Sequence, residues 1–224
     1  MTADRSAEAK RRSRQKRVGD ALRRDTRNRL LEAAEEEFTA HGYAKTTVTG
    51  LAAAAGVSVQ TLYLAWGSKR ELLRGYMETV IAGSAVSPED AVIRFAGLTP
   101  SERISELADL VAEIAERSAT GWRIYRDAAA VDPEIAADWD ELQLLRHQLI
   151  SRVLADIPAA ALLPGVTPGS AIDTAWAIAS PDSHDLLVRR LGYTTGEFRT
   201  WMRRTLASAI LASCGTADTA DTTM

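Results

Sequence analysis

Residues 43–73 read YAKTTVTGLAAAAGVSVQTLYLAWGSKRELL. Thr47 stands where its side chain can cap a short helix whose inner side is Val48, Leu51 and Ala52, and that helix runs out in small alanines before Gly56. A glycine that supplies an unusual backbone angle, preceded by alanines that let a second helix cross closely, is the break a helix-turn-helix requires. Ser58 then caps the second helix, with Val57 and Leu62 facing inward and Val59, Gln60 and Thr61 left outward. In such a motif the start of the second helix enters the major groove, where Gln pairs bidentately with adenine and Thr or Val meets a thymine methyl.

Upstream, Leu31, Ala34 and Phe38 recur at helical spacing opposite Glu32, Glu35 and Glu36, with Gly42 as a C-terminal stop, which predicts a helix from about Asp25. Residues 1–24 have almost no apolar periodicity and are expected to form a disordered basic arm. Residues 1–30 hold eleven Lys and Arg against four Asp and Glu, a net +7, which leaves −10 for the rest of a chain whose formal charge is −3. Such asymmetry points one end of a molecule at a polyanion. The arm from Arg5 to Arg17 is either a solubilising tail or a segment that reaches phosphates or the adjacent minor groove.

The stretch from about Thr26 to Met77 resembles the DNA-binding domain of TetR-family regulators. The resemblance is carried by Gly42-Tyr43, Thr46-Thr47-Val48, the run from Leu51 to Ser58, Leu62-Tyr63, Trp66, Ser68-Lys69 and Leu72-Leu73, and it covers roughly a quarter of the chain. It implies that Thr47 and Tyr63 hydrogen-bond phosphates and that Lys69 holds one at the start of the fourth helix, where free N–H groups already favour an anion. The expected DNA-contacting set is Thr47, Ser58, Val59, Gln60, Thr61, Tyr63 and Lys69, joined by Tyr43, Arg23, Arg24 and Arg27. Two positions depart from the family pattern. Trp66 replaces the commoner Phe, and Ala65 stands where many members carry a His or Tyr that reaches the backbone.

The resemblance further implies a ligand-responsive repressor that binds an inverted-repeat operator as a dimer. Domains are accordingly expected at 25–70 for the helix-turn-helix, 71–214 for a helical ligand-binding and dimerisation domain, and 215–224 for a disordered tail. The residues themselves read as all-α, because the alternation of half-buried strands is absent and helix starts recur. Thr99-Pro100, Asp132-Pro133, Thr167-Pro168, Ser180-Pro181 and Ser87-Pro88 each place a capping oxygen before a proline, while Ser68 with Glu71 and Thr194 with Glu197 have capping-box spacing. A helix over Pro133–Ile157 carries Ile135, Trp139, Leu142, Leu149 and Val153 as a stripe with Arg146 in its middle, and Arg126 shares a face with Trp122 and Tyr125.

A buried guanidinium must be paired, by a structural carboxylate or by an anionic ligand, so Trp122, Tyr125, Arg126, Trp139, Arg146 and Trp176 are the candidate effector residues. The last two helices, about Pro168–Leu191 and Thr195–Ala212, bear more apolar surface than a terminal hairpin needs, and by resemblance they pair with a second copy.

The exclusions are broad. No apolar run approaches a membrane span, and the single Cys214 fits a reducing cytoplasm. Phosphate-binding glycine loops and nucleophile elbows are absent, His184-Asp185 are neighbours whose side chains diverge, and His147 and His184 lack partners at metal-ligand spacing. Neither an enzyme, a metal site nor a cofactor is expected.

Overall fold

The computed structural model describes residues 2–82 and 93–212, with residues 2–16 given by their backbone alone. The described residues are mostly helical, and no strand occurs among them. The chain forms two compact units, one from residues 1–80 with 120–139 and the other from 81–119 with 140–224. The grouping is not linear along the sequence, because residues 120–139 group with the helix-turn-helix segment. The predicted start at Ser87-Pro88 and the expected tail at 215–224 lie outside the described residues.

In the first unit α1 runs over Thr2–His41, α2 over Val48–Ala54, α3 over Val59–Trp66 and α4 over Lys69–Ala82. α1 is continuous from Thr2, so the segment expected as a disordered arm has a helical backbone over residues 2–24. The first half of α1 is dense in Ala, Arg and Lys, holds no proline, and has Gly19 as its one glycine, a composition with high intrinsic helix propensity even without an apolar face. Gly42 ends the helix at φ +74°, donating its N–H to the Phe38 carbonyl at 3.0 Å. Leu30, Ala34 and Phe38 of α1 are buried together with Leu51 and Ala52 of α2, Leu62 of α3, and Leu72, Leu73 and Met77 of α4.

The helix Pro100–Ala129 (α5) gives its last residues to this unit, and Pro133–Leu154 (α6) its first. Gly121 of α5 faces α4 so closely that a Cβ there would lie 3.0 Å from Met77 Sδ and from Val80 Cγ2.

The second unit holds residues 100–119 of α5 and 140–154 of α6, a 3-10 turn at Ala159–Ala161, then Pro168–Ile178 (α7), Pro181–His184 (α8), a π-helical turn at Asp185–Arg190, and Thr195–Ile210 (α9). Its core includes Phe95, Ile104, Leu110, Ile150, Ala175, Phe198, Met202 and Leu206. α6 stops at Leu154, short of the expected Ile157, since Ile157 precedes Pro158 and the residue before proline is driven from the α region. For the same reason the helix expected over Pro168–Leu191 breaks at Ser180, whose Oγ caps the next turn by accepting from Ser183 N at 3.1 Å. The reciprocal cap between Thr194 and Glu197 forms as expected at the start of α9.

Candidate nucleic-acid interface

Two side-chain caps set the helix-turn-helix. Thr47 Oγ1 accepts from Gly50 N at 3.0 Å and starts α2, while Ser58 Oγ accepts from Thr61 N at 3.1 Å and starts α3. Between them Gly56 takes φ +62°. The Ser58 and Thr61 hydroxyls also meet each other at 2.8 Å, so both take part in capping as well as facing outward. Leu62 is wholly buried, Gln60 is exposed, and Val59 and Thr61 are half-buried. Further along, Tyr63 is 50% exposed and Leu64 81%. Gln60, Tyr63 and Leu64 thus form the presented face. Leu64 went unnoticed in the sequence because it sits at an unspecified motif position; its signal is the four-residue spacing from Gln60, which puts both on one side of a helix.

Arginines of α1 fasten this pair of helices. Arg27 donates Nη1 to the Ala65 carbonyl and lays its guanidinium 3.7 Å from the centre of the Trp66 ring. Arg29 donates Nη2 to the carbonyls of Ala55 and Gly56. These are C-terminal carbonyls of α3 and α2, which lack intrahelical donors and carry the negative end of the helix dipole. Arg27, expected at DNA, is here a clamp within the fold. Arg23 pairs with Asp20 on its own helix at 2.7 Å, and Arg24 is exposed.

Lys69 is drawn inward as well. Its Nζ donates to the carbonyls of Tyr43 and Thr46, both at 3.0 Å, and lies 3.9 Å from the Tyr43 ring centre. Burial lowers its pKa. The ammonium expected to hold a phosphate thus commits two protons to the turn before α2. Tyr43 is a core residue beside Phe38, and burial pushes its hydroxyl up to about 12.

Behind the presented face the packing is tight. A Cβ on Gly75 would fall 2.0 Å from Trp66 Cζ3, so the indole lies directly against the α4 backbone. Arg70, one residue past Lys69, grips the buried Asp138 of α6 through Nε at 2.7 Å and Nη2 at 2.6 Å, with Glu134 on Nη1 at 3.1 Å. The hydrogen bonds from Arg70 hold the Asp138 carboxyl below the usual carboxylate range.

The six candidate effector residues do not form one group. Trp122, Tyr125 and Trp139 pack in the first unit, the Trp pair edge-on at 5.4 Å and Tyr125 stacked on Trp139 at 6.5 Å. Arg126 there lies 3.7 Å from Asp127. Arg146 and Trp176 belong to the second unit, where the guanidinium lies 4.7 Å from the ring centre and donates to the Trp176 carbonyl at 2.7 Å and the Ala179 carbonyl at 3.2 Å. The expectation that a carboxylate or ligand must pair Arg146 directly is corrected: carbonyls at the end of α7 accept from it. Its burial pulls the pKa down to about 10.

Arg103, unremarked in the sequence, does the same for α6, donating to the Val153 carbonyl at 2.7 Å while 4% exposed. His147 meets Asp173 at 2.9 Å across two helices, and His184 is buried edge-on to Phe198 at 5.0 Å.

Among the described residues, two short capped helices around a tight glycine turn, the second presenting one face and braced from behind, have the geometry of a helix-turn-helix. Residues 30–76 match the family model described as bacterial regulatory proteins, tetR family. No curated protein matches the chain. Among solved structures it resembles native NalD of Pseudomonas aeruginosa, the secondary repressor of the MexAB-OprM multidrug efflux pump, at 21% identity over 85% of this chain and 99% of that one, with a TM-score of 0.69. A SmeT–triclosan complex aligns at 20% identity over 84% and 93% of the two chains, with a TM-score of 0.61. A transcriptional regulator from Aquifex aeolicus aligns at 16% identity over 82% and 98%, with a TM-score of 0.63. At these identities the likeness establishes the fold.

Proposed function

We propose that the chain is an effector-responsive repressor that binds an inverted-repeat operator as a homodimer, with Gln60, Tyr63 and Leu64 of α3 facing the major groove. The observation that carries this reading is the exposure of those three side chains on a helix whose two ends are fixed, by Ser58 at the start and Arg27 at the finish. A reading helix must be held rigidly if base contacts are to discriminate. Gln60 supplies the bidentate amide for adenine, Leu64 an apolar surface for a thymine methyl, and Tyr63 a hydroxyl for the backbone. Ser58, Val59, Thr47 and Thr61 flank them.

Dimerisation through α7 to α9 is supported by Leu186 and Leu191, which stand 51% and 69% exposed in that region. A two-fold dimer places its recognition helices about 34–36 Å apart to reach both half-sites. An effector that favours a different separation releases the DNA. Triclosan in SmeT is a precedent for small-molecule binding on this fold.

Selection of bound fragments from genomic DNA by the purified full chain tests the proposal. It predicts a palindromic motif occupied by two chains. Recovery of no motif at low salt would remove it.

A further inference from the structure

We propose, resting on the operator reading above, that the upstream half of α1, residues 2–26, is a second DNA-binding element that lies along the duplex flanking each half-site and adds phosphate contacts outside the segment read by α3. Three observations combine. First, residues 2–24 carry nine Lys and Arg against three Asp and Glu, a net +6, so the rest of the chain holds −9. Polyanions attract such a segment, and phosphate contacts dominate affinity for nucleic acid.

Second, the segment is the upstream part of one unbroken helix whose downstream part packs in the helix-turn-helix unit, and not a floppy chain. Arg27 and Arg29, just beyond it, bind the ends of α3 and α2. Residues 2–26 therefore continue, in one helix, from a point fixed to the recognition helix. At about 1.5 Å per residue they span roughly 37 Å, close to one turn of duplex.

Third, the upstream part has no apolar stripe with which to pack into a protein core: residues 10–17 hold six Lys and Arg in eight positions and no apolar residue. Val18 and Leu22 are 62% and 67% exposed. The repulsion among Lys10, Arg14 and their neighbours at spacings of three and four weakens this helix in the free protein, and phosphates relieve it. The family match starts only at residue 30, so the element is additional to the matched domain.

The test uses the full chain, a form lacking residues 2–22, and a full-length form with Lys10→Gln, Arg11→Gln, Arg12→Gln, Arg14→Gln, Lys16→Gln and Arg17→Gln, which keeps helix-forming residues. Each is titrated at several salt concentrations against the selected duplex, either cut to the two half-sites or extended by about one helical turn on each side. The full chain binds the extended duplex at least tenfold more tightly than the cut one. Its slope of log affinity against log salt is steeper by about 3 or more than that of either variant, since each phosphate that a cation neutralises adds roughly 0.9 to the slope. Both variants bind the two duplexes alike.

Equal slopes for all three proteins would overturn the proposal. So would tighter binding after truncation, which would place the segment on the acidic remainder of its own chain. If the full chain binds neither duplex, the operator reading fails first. That outcome is distinct from one in which all forms bind equally well.

Discussion

The guanidinium of Arg27 lies 3.7 Å from the centre of the Trp66 ring and donates a proton to the neighbouring Ala65 carbonyl, so one side chain of α1 closes the C-terminal end of α3. Arg27→Gln removes a cation–π interaction and a capping bond, lowering the unfolding free energy by about 1–2 kcal/mol. Affinity for DNA falls for every sequence because the helix is less well held. The salt dependence decides between the two roles: the clamp predicts an unchanged slope, whereas a phosphate-binding arginine predicts a slope smaller by about 0.9.

Trp66 and Gly75 constrain each other. Alanine in place of Gly75 is favoured by about 1 kcal/mol in helix propensity. Here its Cβ would stand 2.0 Å from the indole, and the overpacking costs about 1–3 kcal/mol. Gly75→Ala is therefore expected to lower the melting temperature. Trp66→Phe, which shortens the ring and removes a buried indole N–H without a partner among the described residues, restores it in the double variant. Additive melting shifts would contradict this packing.

Lys69 separates a structural role from a DNA-contacting one. Because its ammonium serves the Tyr43 and Thr46 carbonyls, Lys69→Ala lowers the stability of the free protein by about 1–2 kcal/mol. A lysine that met only phosphate would leave the stability of the DNA-free protein unchanged, as chemical denaturation would register.

Stability depends on pH through His184. Burial lowers its pKa, outweighing the neighbouring Asp185 and Glu116 carboxylates, so the unfolded chain binds the proton more tightly than the folded one. The stabilisation from a neutral His184 is complete above the unfolded value of about 6.5 and is lost as pH falls below it. Between about pH 7 and pH 5 the His184→Gln variant is expected to show a shallower decline in unfolding free energy than the parent. Parallel declines would remove His184 as the cause.

The helix-turn-helix was legible because its punctuation is local. Gly42 and Gly56 take positive φ where the sequence asks for a break, and Thr47 and Ser58 cap the helices they precede. The arginine clamps were not legible. Arg27, Arg29, Arg103 and Arg146 all satisfy carbonyls at or near helix C-termini, between 26 and 50 residues away in sequence. A backbone carbonyl has no signature of its own, so an arginine among apolar residues suggests a missing carboxylate when its partner is a helix end.

The aromatic residues misled in another way. Helical spacing shows that Trp122 and Trp139 face inward but not that Trp176 belongs to a different unit. The early limit of α1 lies in a stretch with no apolar periodicity, where only the helix propensity of its Ala, Arg and Lys points to a helix.

The most direct measurement of the central claim is the affinity of the full chain and of Gln60→Ala for the selected operator with each base pair changed in turn. If α3 reads the major groove, Gln60→Ala loses discrimination at one symmetric pair of positions, by about 1–3 kcal/mol, and keeps it elsewhere. A profile for Gln60→Ala that is identical to the parent at every position would contradict the account.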